Sequence, residues 1–132
     1  MSDMSDGLTS PKFCARLRPD GVVQVVWQPG TRAGLEDVVA SADEVDALLG
    51  GHRHPLLVDA RAGGQASDKA SRMAVRRRAE EQRLVSAIAL IVSTPLGRMT
   101  GNMFIAMRNP TPPMRLFGDE ARALAWLGEV AP

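Results

Sequence analysis

The sequence predicts a single α/β domain in which a β-hairpin leads into alternating helices and strands. Alternating apolar residues on both sides of the turn at residues 19–21 are typical of a hairpin. Two continuous apolar segments, "PLLVDA" and "SAIALIV", are typical of strands that are covered on both faces. Segments with helical periodicity separate the later strands. The predicted order is β-β-α-β-α-β-α-β-α, which implies a mixed, mostly parallel sheet of about five strands with four helices.

The hairpin and the first helix have the clearest local patterns. The hairpin strands are predicted over residues 13–17 and 22–27. The first helix is predicted over residues 35–49, where apolar side chains recur with a period near 3.6 and form one face. Acidic residues occupy its first turn, where the helix dipole favours them. Two glycines at 50 and 51 end it.

The later elements complete the domain. The second helix is predicted over residues 66–83. The third begins with Thr94 as N-cap and Pro95 at the first helical position, and it runs to about Met107 because "RNPTPP" cannot continue a helix. "MRLF" is the last strand, and residues 118–120 open a final helix that runs through Leu127. Residues 1–11 are predicted to be a flexible tail, and residues 12–132 form the domain.

Composition narrows the class of protein. The chain has 132 residues, of which 45% are hydrophobic, a size and composition suited to one core. Sixteen basic side chains against fifteen acidic ones argue against a nucleic-acid partner. The single cysteine, the polar N-terminus and the lack of a long apolar segment lead us to expect a cytoplasmic protein that is not an integral membrane protein. Arginine far outnumbers lysine, which is typical of GC-rich genomes such as those of actinobacteria.

Several phrases of the sequence together suggest a known family. They are "RPDGVVQVVWQPG", "LEDVVASADEVDALLGG", "PLLVDAR" and a C-terminal "FGDEARALAWL". Over residues 13–128 the chain resembles the SpoIIAA-like, STAS-like proteins. The resemblance implies a SpoIIAA-like sandwich and a non-enzymatic protein-interaction or regulatory role, related to anti-sigma factor antagonists. Some relatives are similar to Sec14-like lipid-binding folds, which implies the alternative of a small carrier or sensor for an apolar or amphipathic ligand.

The same resemblance implies a candidate phosphorylation site. In the antagonists, a partner kinase modifies a serine at the start of the second helix, usually in an Asp-x-Ser pattern. Ser67 and Ser71 are the candidates here, and Arg61 stands where the pattern has its first serine. The alternative is structural, since Ser67 or Asp68 can cap the helix.

Further candidate contact residues lie at the end of the third strand and on the third helix. Asp59 and Arg61 end the strand, where α/β sheets commonly bind ligands, although Asp59 can instead accept backbone N–H groups of the following turn. On the third helix we expect ligand or partner contacts at four residues, namely Arg98, Met99, Asn102 and Met103. Methionine recurs on adaptable binding surfaces, but core packing against the sheet is the simpler interpretation of this stripe. Ile105 lies opposite the stripe and is a candidate for a small surface contact.

One side of the second helix is basic. Lys69, Arg72, Arg76 and Arg83 fall in one sector of the helix, and Arg76 can pair with Glu80. We call these four residues the basic ridge. A basic ridge can meet an acidic partner or a lipid headgroup, and the alternative is a solvated helix face.

No motif of an enzyme is present. The sequence lacks G-x-G-x-x-G, the P-loop, G-x-S-x-G and H-E-x-x-H, so no catalytic residue and no cofactor are predicted. His52 and His54 have no further ligand type nearby, so no metal site is predicted. A homodimer is expected, because continuous strands need cover on both faces and self-association is mostly two-fold.

Overall fold

The structure of the protein is a computed structural model, and it describes residues 12–108 and 110–130. The predicted tail, residues 1–11, lies outside the described residues. In chain order the elements are β1 (Phe13–Leu17), β2 (Val23–Trp27), β3 (Arg32–Ala33), α1 (Leu35–Leu49), β4 (His54–Asp59), β5 (Gln65–Ala66), α2 (Lys69–Glu81), β6 (Val85–Ile91), α3 (Pro95–Arg108), β7 (Met114–Phe117) and α4 (Glu120–Val130).

The main sheet has five strands in the order β1-β2-β4-β6-β7. The first two strands form the predicted antiparallel hairpin, and the other neighbours pair in parallel. Each new parallel strand adds to the same side of the previous one. Right-handed crossovers therefore place α1, α2 and α3 over one face of the sheet, and α4 packs on the other. The predicted fold class is confirmed.

Alternation of side chains along the strands divides the core in two. On the face of α1, alternate residues of β2 pack with the buried side of the helix, and the rings of Phe13 and Trp27 lie 5.2 Å apart. On the opposite face, small residues of β6 pack against Ala123 and Leu127 of α4. On one face of the sheet, small side chains of β6 let a single helix, α4, pack closely. On the other face, three helices cover the sheet.

Side-chain caps set the beginning of each later helix. Asp68 Oδ1 accepts hydrogen bonds from the backbone N–H and the hydroxyl of Ser71, both at 2.8 Å, so α2 begins at residue 69 and not at the predicted 66. Thr94 Oγ1 accepts from the Gly97 N–H at 3.2 Å, which agrees with the predicted start of α3. Asp119 Oδ1 accepts from the N–H of Arg122 at 2.8 Å before α4.

The helix ends also differ from the sequence prediction. The second helix ends at Glu81 because Gln82 has extended backbone angles and its Oε1 accepts the Leu84 N–H. Arg83 is therefore outside the helix. The last helix continues past the predicted Leu127 to Val130, since Gly128 does not interrupt it.

Two short strands were not predicted. The segments β3 and β5 pair in parallel and form a second, two-stranded sheet beside the main one. Gly64, which directly precedes β5, has φ +89°, and the indole of Trp27 occupies the space where a side chain would start. The glycine-rich turn is thus packed directly on the core.

Candidate functional site

A cavity of about 670 Å³ lies between the sheet and helices α1, α2 and α3. The sheet supplies its floor through the side chains that alternate towards this face. The helices supply walls of small and branched apolar residues. Those that line it include Val25, Leu56, Val58, Ile88, Leu90 and Leu116 from the strands and Val38, Ala42, Val45, Val75 and Ala79 from the helices.

The cavity exists because α2 has few large side chains that reach the sheet. Ser71 is the one residue of α2 that is fully buried. Further along the helix, Val75 and Ala79 line the cavity without filling it. Gly97, which has no side chain, is the part of α3 that lines the cavity. Short side chains on three neighbouring helices therefore leave open space above β4 and β6.

A polar cluster forms part of the cavity lining. Arg78 Nη2 donates to Asp43 Oδ1 and Asp46 Oδ2, each at 2.9 Å, and links α2 to α1. The hydrogen bond to Asp43, followed by that to Asp46, raises the pKa of Arg78. Gln82 Nε2 also donates to Asp46. The two carboxylates more than offset the charge of Arg78, and the cluster positions α2 against α1.

A second groove continues from the cavity between α2 and α3. Its volume is about 500 Å³, and it shares Arg72, Val75 and Ala79 with the cavity. Ile105 of α3 also lines this groove and is half-buried. Four charged side chains line it. They are Arg76, Glu80 and Arg108, together with the shared Arg72.

Asp59 and Arg61 form a tight pair that does not line the cavity. Arg61 Nη2 donates to Asp59 Oδ2 at 2.7 Å, and Arg61 Nε donates to Oδ1 at 3.0 Å. The hydrogen bond from Arg61 holds the pKa of Asp59 below its usual range. Strand alternation places Ala60 towards the cavity. The charge of Arg61 interacts with those of Glu120 and Asp119 at the start of α4, on the other face of the sheet. Asp59 Oδ1 also accepts the backbone N–H of Arg61 at 3.1 Å, as the structural alternative expected, so the pair is a local tie at the end of β4.

The two candidate serines have different environments. Ser67 is exposed, and its backbone N–H donates to the carbonyl oxygen of Ala33. Ser71 is fully buried, and its hydroxyl donates to Asp68. The N-cap of α2 is Asp68 and not Ser67. Only Ser67 presents its hydroxyl at the surface of the folded domain.

The methionines of α3 lie on the surface, so core packing was the wrong interpretation of this stripe. Met99 and Met103 are each 62% exposed, and Leu96 and Met107 are 72% and 78% exposed. We call these four residues the methionine face. None of them lines the cavity, which lies mainly beneath α1 and α2.

The opposite side of α3 holds the helix on β7. The missing Cβ of Gly101 leaves room for Leu116, whose Cδ2 would lie 2.6 Å from such an atom. Asn102 Nδ2 donates to the Leu116 carbonyl at 3.2 Å, and Asn102 Oδ1 accepts from the Leu116 N–H at 2.9 Å. Arg98 Nη1 donates to the Val92 carbonyl at 3.3 Å. Asn102 and Arg98 thus fix α3 to the sheet, and the methionine face points away.

All four residues of the basic ridge are exposed, but Arg83 follows the end of α2 and does not share the helical sector of the other three. Arg76 Nε lies 3.1 Å from Glu80 Oε1, which confirms the predicted pair. Two members, Arg72 and Arg76, line the groove between α2 and α3. Helical periodicity places them on one side of α2 but does not show that this side borders α3. Arg108 of α3 was not predicted as a site residue. In the sequence, Arg108 is recognisable only as a basic residue near the end of a helix, which does not indicate a binding site.

None of the helices that the structure describes is both long enough and apolar enough to cross a bilayer.

Structural comparison supports the fold. The chain is similar to an uncharacterised protein of the DUF3478 family with a SpoIIAA-like fold from Shewanella loihica PV-4, with a TM-score of 0.64 and 15% identity over 96% of this chain and 98% of that one. A protein of unknown function from Arthrobacter sp. FB24 is 27% identical over 86% of this chain and 97% of that one, with a TM-score of 0.28. No curated protein sequence matches.

The match at a TM-score of 0.64 shows that the chain has a SpoIIAA-like fold, as the sequence resemblance implied. The family model named Domain of unknown function (DUF7793) matches residues 16–131, which includes nearly all of the described domain. The chain therefore belongs to the DUF7793 family.

Proposed function

We propose that this domain is a non-enzymatic binding protein that holds a small apolar or amphipathic molecule in the cavity between its sheet and helices α1–α3. The cavity carries this proposal. Its volume of about 670 Å³ lies within the range of roughly 300–1,000 Å³ that is common for small-molecule sites. Walls of valine, leucine, isoleucine and alanine favour an apolar group, because its transfer from water to such walls is favourable.

The position of the cavity also supports a role as carrier or sensor. Val75 of α2, which lines both the cavity and the groove, is 49% exposed, so the cavity reaches the surface beside α2. A ligand can therefore enter beside α2 without disruption of the sheet. A cytoplasmic location is part of the proposal, and the single cysteine supports it.

The test is to fill the cavity. Ala79, which is half-buried on α2, lines both the cavity and the groove, so Ala79→Phe places a ring in the open space. The control is Ala47→Phe on the exposed side of α1. The probe is the fluorescent dye 1-anilinonaphthalene-8-sulfonate, and native mass spectrometry of protein purified from its own host reports any ligand that co-purifies.

We expect the dye to bind the wild type and the Ala47→Phe protein equally and the Ala79→Phe protein at least tenfold more weakly. Circular dichroism and thermal melting are expected to remain near wild type for Ala79→Phe, because the ring enters open space and displaces no packed side chain. A folded Ala79→Phe protein that binds the dye as tightly as wild type would contradict the proposal.

We propose a protein-interaction or regulatory role as the second candidate, and the methionine face favours it. Four large apolar side chains in one exposed row are suited to an adaptable protein contact. The contact can be with a second copy, as the expected homodimer requires, or with a regulatory kinase or anti-sigma-like protein. Light scattering at micromolar concentration tests self-association, and Met99→Glu with Met103→Glu is expected to abolish it without loss of dye binding.

Phosphorylation belongs to this second candidate. The exposed hydroxyl of Ser67 is accessible to a kinase, whereas that of Ser71 requires local opening of α2. A phosphopeptide that covers residues 66–72, recovered from cells, supports regulation at this site. Its absence under conditions that activate other regulators of the host argues against it.

A further inference from the structure

The groove between α2 and α3 carries an excess of positive charge. Three arginines and one glutamate line it. The glutamate, Glu80, is paired with Arg76 at 3.1 Å. Within the described part of the chain, the other two arginines, Arg72 and Arg108, form no ion pair at 4.0 Å or less. Two guanidinium groups that form no ion pair within the described residues therefore line a groove that adjoins the apolar cavity.

Arg72 connects the two spaces because it lines both of them. Asp68 lies one turn earlier and its charge interacts with that of Arg72, but no ion pair within 4.0 Å joins the two side chains. The other guanidinium that lines the cavity, Arg78, is neutralised by carboxylates of α1. Arg72 is thus the charged group that can serve a ligand at the junction of cavity and groove.

Resting on the proposed function, we propose that the ligand is an anionic amphiphile, with its apolar chain in the cavity and its carboxylate or phosphate headgroup against Arg72 and Arg108 in the groove. Transfer of the apolar chain from water into the cavity is favourable. The headgroup remains near solvent, so its desolvation is small, and guanidinium groups form strong charge-assisted hydrogen bonds with either kind of anion. A neutral molecule with the same chain gains only the apolar contribution, because it has no charge for the two arginines to bind. It is therefore expected to bind more weakly than the anion.

The experiment compares three ligands that share one chain. Decanoate, decyl phosphate and 1-decanol are titrated below their aggregation limits into delipidated full-length protein by isothermal calorimetry. The variants are Arg72→Gln and Arg108→Gln. The matched control is Arg122→Gln, which changes an exposed arginine of α4 on the opposite face of the sheet.

We expect at least one of the anions to bind about tenfold or more tightly than decanol. Arg72→Gln and Arg108→Gln each weaken anion binding about threefold to tenfold and leave decanol binding unchanged, as expected for loss of one charge-assisted contact. Arg122→Gln leaves all three affinities unchanged. The ratio of decanoate to decyl phosphate affinity shows which headgroup the site prefers.

Four results overturn the inference. Decanol that binds as tightly as both anions, or anion affinity that does not change in Arg72→Gln and Arg108→Gln, shows a site without headgroup recognition and leaves the proposed function intact. An equal loss of affinity in Arg122→Gln shows general charge attraction. If none of the three ligands binds the wild type, the proposed function fails together with the inference.

Discussion

Replacement of Gly64 by alanine is expected to destabilise the domain by about 3 kcal/mol. Two costs contribute. Gly64 has φ +89°, and a residue with a Cβ is strained in such a conformation by about 1–2 kcal/mol. The added Cβ would also lie 2.6 Å from Trp27 Cδ2 and closer still to Cγ. The indole is 7% exposed and packs on the ring of Phe13, so it has little room to retreat, and overpacking of this kind costs about 1–3 kcal/mol.

Gly30→Ala is the control that separates the two costs. Gly30 also has a positive φ, +73°, but no heavy atom lies within 4 Å of the position of its Cβ. This variant is expected to lose about 1–2 kcal/mol, the conformational cost alone. Urea unfolding followed by circular dichroism gives the free energy of unfolding of both proteins.

The difference in the free energy of unfolding between the two variants is then the cost of the contact with Trp27. If Gly64→Ala and Gly30→Ala unfold with equal free energies, the indole or the turn adjusts freely, and the steric reasoning is refuted. A Gly64→Ala protein as stable as wild type would also refute the conformational cost at this position.

Three other changes test separate parts of the structure. Asp68→Ala is expected to cost about 1 kcal/mol in urea unfolding and Ser67→Ala close to none, because the N-cap is Asp68; the reverse order would contradict this assignment. The pKa of Asp59 is lowered by Arg61, so its contribution to stability is present above the usual carboxyl pKa of about 3.9 and is lost as pH falls through the lowered value. The stability difference between wild type and Asp59→Asn should therefore shrink from pH 6 to pH 3 in urea midpoints, and a constant difference would count against the pair. Trp126→Ala is expected to cost about 2–3 kcal/mol, less than for a fully buried ring, since Trp126 is half-buried; a loss below about 1 kcal/mol in the same assay would show that its contact with Phe117, with ring centroids 5.6 Å apart, stabilises little.

Local patterns were sufficient for most of the main sheet and for α1. The hairpin could be predicted from alternation and a turn, and the boundaries of α1 from its apolar face and the two glycines that follow it. The short strands β3 and β5 could not be predicted, because two residues show no period and their pairing is with a distant segment. The ends of α2 were missed because several polar residues in succession could serve as caps.

The candidate site was less predictable than the fold. Helical spacing placed Met99 and Met103 on one side of α3, but spacing alone does not say which side meets the sheet. The decisive contacts, made by Gly101 and Asn102 with Leu116, join residues more than ten positions apart. The cavity depends on the distance between helices, and alanines such as Ala79 fit a closely packed interface equally well from sequence alone.

The amide of Asn102 also has a consequence for the outer strand of the sheet. Its oxygen and nitrogen bond the N–H and C=O of Leu116, as the backbone of one more strand would. Edge strands with free backbone groups invite pairing with other chains, which leads to aggregation. Because β7 is the last strand of the main sheet, a single side chain serves here as a short imitation of a neighbouring strand, and it makes the middle of that edge unavailable for growth of the sheet from one molecule to the next.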